Sequence, residues 1–110
     1  MKYVKSDFTD VVLVCRKCAK KLKGGFGPDA ESSLPKALRA EVARRDGAAK
    51  PAKKLRRKGA SVAIVEVDCL DICPKNAAVV IGAGEPGRWR VIAPGEDTGS
   101  LLEELAPPKV

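Results

Sequence analysis

At 110 residues, with 45% hydrophobic and 32% charged residues, the chain has the balance of one ordinary globular domain, residues 1–110, which argues against a disordered chain and against two separate cores. Twenty-one Lys and Arg against fourteen Asp and Glu give a formal charge of +7, an excess that attracts nucleic acid, an acidic protein surface or a negatively charged centre within the protein. No apolar stretch approaches the roughly 20 residues of a membrane span, and "MKYVKSDFTD" lacks the apolar core of a secretory signal, so the expected location is cytoplasmic, with no membrane partner.

The first expected element is a buried strand at "VVLV" (residues 11–14), which leads directly to Cys15 and Cys18. The basic run "RKCAKKLK" and the glycine-rich "KGGFGPDAE" follow and read as loop; "GGFGP" has no Lys-Ser/Thr ending and is weak evidence for phosphate binding. "SSLPKALRAEVARRDG" reads as a helix. Ser32 or Ser33 can cap it, Pro35 suits its first turn, Leu34, Ala37, Leu38 and Val42 form one apolar stripe, and Gly47 can end it. A basic loop over residues 47–59, including "KPAKKLRRK" with six cations and no acid, precedes a second β-branched strand at "SVAIVEV". Strand, helix, strand with a long connection implies parallel pairing and a right-handed crossover.

Cys69 and Cys73 follow this second strand. "AAVVI" and "RWRVI" flank the turn "GAGEPG" and should form an antiparallel hairpin, with Trp89 on the sheet or in the core. "EDTGSLLEEL" gives a last helix, with Ser100 and Glu103 at capping-box spacing and Leu101, Leu102 and Leu105 on its apolar face; residues 106–110 read as a frayed tail. The order β-α-β and then β-β-α defines an α/β fold of thioredoxin-like type: a mixed four-stranded sheet with covering helices.

In that topology each cysteine pair lies just past the C-terminal end of one of two neighbouring parallel strands. Cys15, Cys18, Cys69 and Cys73 can then converge, and a chain with no histidine offers an all-sulfur site suited to zinc or an iron-sulfur cluster. Asp68 and Asp71 lie close to the distal pair in sequence but, without a histidine or nucleophile, make a poor case for hydrolysis. Other readings are buried structural cysteines, or a redox dithiol at Cys15 and Cys18 that leaves the distal pair unexplained.

The strand "VLVC" leading to a first cysteine, a second cysteine soon after, and the distal C-x3-C in "VDCLDICPKNAAVVI" resemble the thioredoxin-like 2Fe-2S ferredoxins and the related small subunit domain of NADH dehydrogenase and hydrogenase complexes. The resemblance covers most of the chain, from about Val11 to Leu105. It implies a 2Fe-2S cluster held by Cys15, Cys18, Cys69 and Cys73 and one-electron transfer without enzymatic turnover; relatives in that family can form homodimers. The basic runs read either as solvated surface or as a docking face, which would call for an acidic redox partner. The spacer between the first two cysteines, Arg16 and Lys17, is shorter than is usual in that family and looks like half of a zinc knuckle. The alternative is therefore a zinc-stabilised structural or interaction module whose basic surface meets nucleic acid or an acidic protein. Nucleic acid is the weaker of those partners, because four aromatic residues without a recognisable binding motif offer no obvious stacking platform.

Overall fold

The computed structural model describes residues 1–22, 24–51, 55, 56, 58–68, 72 and 74–107. Its elements run β1 (Asp10–Cys15), α1 (Arg16–Leu22), α2 (Leu34–Asp46), β2 (Val62–Val67), β3 (Ala78–Gly82), β4 (Arg90–Ile92) and α3 (Thr98–Leu105). This is an α/β fold with a mixed four-stranded sheet in the order β2-β1-β3-β4. β1 and β2 pair in parallel from Asp10 opposite Val62 to Cys15 opposite Val67. β1 pairs antiparallel with β3, and β3 with β4.

The β-branched runs make the sheet interior. Val12 and Val14 of β1 are fully buried while Val11 and Leu13 are half-buried, as expected for a strand with one face in the core. Every residue of β3 is buried, consistent with its place between two strands and under a helix. α2 packs against β2 and α3, and α1 against β3 and β1.

α2 forms where its end signals stand. The Ser33 hydroxyl accepts from the Lys36 N–H, Pro35 occupies the first turn, and Gly47 ends the helix in a left-handed conformation with φ 69°. Its buried side is the expected stripe extended by Pro35 and Ala43. In α3 the cap is Asp97 rather than Ser100: the Asp97 carboxylate accepts from the Gly99 N–H at 3.0 Å and from the Ser100 hydroxyl at 2.8 Å. Ser100 thus lies inside the first turn and donates back to the cap.

Three further expectations are corrected. The run after Cys15, read as loop, is helix α1. Its Cys18 and Ala19 are buried and Leu22 packs against the core, one helical turn apart on one side. The tail is anchored at its start, because Ala106 is fully buried, donates its N–H to the Leu102 carbonyl, and accepts from the Arg45 guanidinium at 2.6 Å. Trp89 lies just ahead of β4 and is 42% exposed, with its indole N–H donating to the Pro86 carbonyl at 2.8 Å, so it braces the turn instead of filling the core.

The glycine-rich segment between α1 and α2 is a folded loop that supplies a core residue. Phe26 is 1% exposed and exchanges both backbone hydrogen bonds with Ser32, at 3.0 and 3.1 Å. Gly25, at φ 93°, donates to the Ala30 carbonyl and accepts from the Gly95 N–H at 2.8 Å, which ties this loop to the connection between β4 and α3. Among the described residues, no helix is long and apolar enough to cross a membrane.

Candidate metal centre

Cys15 is the last residue of β1 and Cys18 lies in the first turn of α1, so the two sulfurs are presented across the junction of a central strand and a helix. Both are buried, Cys15 at 0% and Cys18 at 6% exposure, and both belong to the main core with Val14, Phe26 and Val80. Cys69 and Cys73 lie outside the described residues.

Two described residues from the distal segment do locate its neighbours. The parallel register sets Cys15 directly across from Val67, the last residue of β2. The Cys18 thiol lies 3.8 Å from the carbonyl oxygen of Ile72, a residue 54 positions away in sequence that stands between Cys69 and Cys73. The proximal pair therefore meets the distal segment in two ways: the Cys15 backbone by strand register with Val67, and the Cys18 thiol by its approach to Ile72. Among the described residues, no group of three Cys, Asp or Glu side chains comes together as a metal site, so a four-ligand centre requires the distal pair.

The surroundings are cationic. α1 has no acid in its first turn, and its Arg16, Lys17, Lys20 and Lys21 are exposed. Arg16 reaches toward the distal segment, donating to the Asp68 carboxylate and to the Glu66 carbonyl, each at 3.5 Å. With side-chain exposures of 59% and 98%, the Arg16–Asp68 pair stabilises little, and it leaves Lys17, Lys20 and Lys21 as the net positive charge of α1. Arg39 of α2 spans the next step of β2, donating to the Ile64 carbonyl at 3.4 Å and pairing with Glu66 at 3.9 Å. Arg16, Lys20, Arg39 and Glu66 together border a shallow groove of about 220 Å³ next to Cys18's helix.

Of the four cysteines named from the sequence, the structure describes Cys15 and Cys18, and it places them, with the cations of α1, beside the parallel ends of β1 and β2. Helix α1 and the groove beside it were missed; the spacing of Cys18, Ala19 and Leu22 was the signal for the first. The chain matches no protein-family model, no curated protein and no solved structure.

Proposed function

We propose that the protein is a one-electron carrier of the thioredoxin-like ferredoxin type, with a 2Fe-2S cluster held by Cys15, Cys18, Cys69 and Cys73. The observation that carries this reading is the 3.8 Å approach of the Cys18 thiol to the Ile72 carbonyl, which brings α1 to the segment bearing the distal cysteines. The parallel β1–β2 pair, the antiparallel β3–β4 hairpin and the covering helices agree with the plan that the resemblance implies.

The donor set fits the group: four sulfurs, no histidine, and the cations of α1 to offset negative charge. When bound, the cluster supplies reversible one-electron chemistry. The chain's own residues do the rest. β1 fixes Cys15 at the end of an interior strand of the sheet, burial of Cys15 and Cys18 limits water around their sulfurs, and Arg16, Lys17, Lys20 and Lys21 favour the more negative reduced state and so raise its potential. The same cations form a docking face for an acidic redox partner, which they steer by long-range attraction.

Zinc remains the second reading, because the same four thiolates satisfy a closed tetrahedral site. A dithiol that attacks external disulfides is less well supported, since such chemistry needs an accessible sulfur and Cys15 and Cys18 are 0% and 6% exposed. The test is a visible spectrum of anaerobically purified protein, with iron, zinc and acid-labile sulfide assayed on the same sample. Brown protein that bleaches on reduction, with iron equal to sulfide, and that loses its colour in Cys69→Ser, is the expected result. Colourless protein with stoichiometric zinc would overturn it in favour of the structural site.

A further inference from the structure

A second region of the molecule has the features of a ligand site. Between α2, strand β2 and the described residues Lys50, Leu55, Arg56 and Lys58 lies a recess of about 220 Å³. Val42, Ala43, Val62 and Ile64, all buried core residues, form its apolar interior, and Phe8 and Leu55 stand at its margin. Leu55 is 60% exposed, an unusual cost for a leucine in so basic a loop.

The charges around the recess are asymmetric. Among the described lining residues the one acid, Asp46, is already engaged, since its carboxylate accepts from the Ser61 N–H at 2.9 Å and the Ser61 hydroxyl at 2.6 Å; Asp7, beside the recess, accepts from the Gly59 N–H at 2.9 Å. Arg39 is committed to Ile64 and Glu66. Lys50, Arg56 and Lys58 also line the recess, are exposed, and have no hydrogen-bond or ion-pair partner among the described residues. An apolar interior with three uncommitted cations at its opening matches a ligand with a hydrocarbon body and an anionic head.

We propose that this recess binds a small amphiphilic carboxylate, a medium-chain fatty acid or an arylalkanoate, with its apolar part against Val42, Ala43, Val62 and Ile64 and its carboxylate among Lys50, Arg56 and Lys58. The size suits the class: an enclosed apolar cavity of roughly 150 Å³ is enough for benzene, so an open recess of about 220 Å³ covers a body somewhat larger than one aromatic ring. The site shares only Arg39 with the groove beside the cysteines and does not depend on the metal reading.

The experiment is a titration of the purified protein with sodium octanoate below its micelle-forming concentration, followed by amide chemical shifts, with octanol as the neutral control. Saturable shifts centred on Val42, Ala43, Val62 and Ile64, with octanol bound several-fold more weakly, are expected. Exposed charge pairs contribute ~0.2–1 kcal/mol each, so replacing Lys50, Arg56 and Lys58 together by Gln should weaken octanoate binding by about tenfold while leaving octanol unchanged. Ala43→Leu, which fills the recess, should abolish both. Because the Gln substitutions are at the surface, the charge part of the test stands even if Ala43→Leu fails to fold. Absence of a saturable shift, octanol binding as tightly as octanoate, or wild-type octanoate affinity in the triple Gln variant would each overturn the proposal.

Discussion

Four glycine-to-alanine substitutions separate the two reasons a fold can require glycine. At Gly25 both apply: φ is 93°, and an added Cβ would lie 2.6 Å from Cβ of Pro94, a ring that cannot swing away. Holding an L residue at positive φ costs about 1–3 kcal/mol, and overpacking a tight contact costs about 1–3 kcal/mol more. A loss of about 2–6 kcal/mol is therefore expected, a large share of the roughly 5–15 kcal/mol that stabilises a domain. Gly47 isolates the first cause, with φ 69° and nothing within 4 Å, and should lose about 1 kcal/mol. Gly82 isolates the second, since its φ is unstrained but an added Cβ would lie 2.9 Å from the Leu105 carbonyl oxygen at the end of α3. Gly84 has neither and should stay within about 0.5 kcal/mol of wild type. Urea unfolding, with midpoints compared at a common slope, reads all four. If Gly25→Ala unfolds at the same urea concentration as Gly84→Ala, the close packing of the Gly25 loop on Pro94 is wrong.

Two further outcomes follow from named side chains. The Ser100 hydroxyl, and after it the Gly99 N–H, hold the Asp97 carboxyl below its ordinary value of 3.8, so its contribution to stability is present above that value and is lost as pH falls through the lowered one; Asp97→Asn should lower the melting temperature at pH 7 and converge on wild type in strong acid. Replacing Arg16 and Lys20 by Glu should leave the melting temperature nearly unchanged, because Arg16 is exposed in a weak ion pair and Lys20 is exposed on α1; in cluster-loaded protein, reduction by an anionic mediator should slow relative to a cationic one, with the difference shrinking as salt is added.

The parts of the fold legible from sequence are those where local chemistry and tertiary packing agree. β1 and β2 show as β-branched runs, the β3–β4 hairpin as two such runs around a glycine-rich turn, and α2 shows its Ser33 cap, its Pro35 and its Gly47 stop. α1 was hidden because it is seven residues long and carries four cations, so its Cys18, Ala19 and Leu22 spacing gives only one turn of periodic signal. Phe26 was hidden for a different reason: an apolar residue among glycines has no periodicity, and only the backbone pairing of residues 26 and 32 turns it inward. The choice between Asp97 and Ser100 as the α3 cap turned on which oxygen accepts from the helix N–H groups, and both residue types favour caps. For the candidate site, Cys15 and Cys18 were legible as a pair, and their approach to Val67 and Ile72 follows from the parallel register that the strand-helix-strand order implied. Cys69 and Cys73 lie outside the described residues.

Parallel pairing also explains why a site can be built here from segments 50 residues apart. Two antiparallel neighbours would send the ends after Cys15 and after Val67 to opposite edges of the sheet, whereas β1 and β2 deliver both to one edge. The cost of this arrangement is a long crossover, which α1, the Phe26 loop and α2 supply, and each packs into the core that holds Cys15 and Cys18. The sulfur positions are consequently coupled to global stability: a core lesion such as Leu38→Ala, at a fully buried position, should cost about 2–5 kcal/mol and loosen the cysteines with it. The cations of α1 are different, because they sit in water and contribute little to folding. The positions of Cys15 and Cys18 are thus fixed by the core and the charge around them by the surface, so charge changes on α1 alter the local field without moving these two sulfurs.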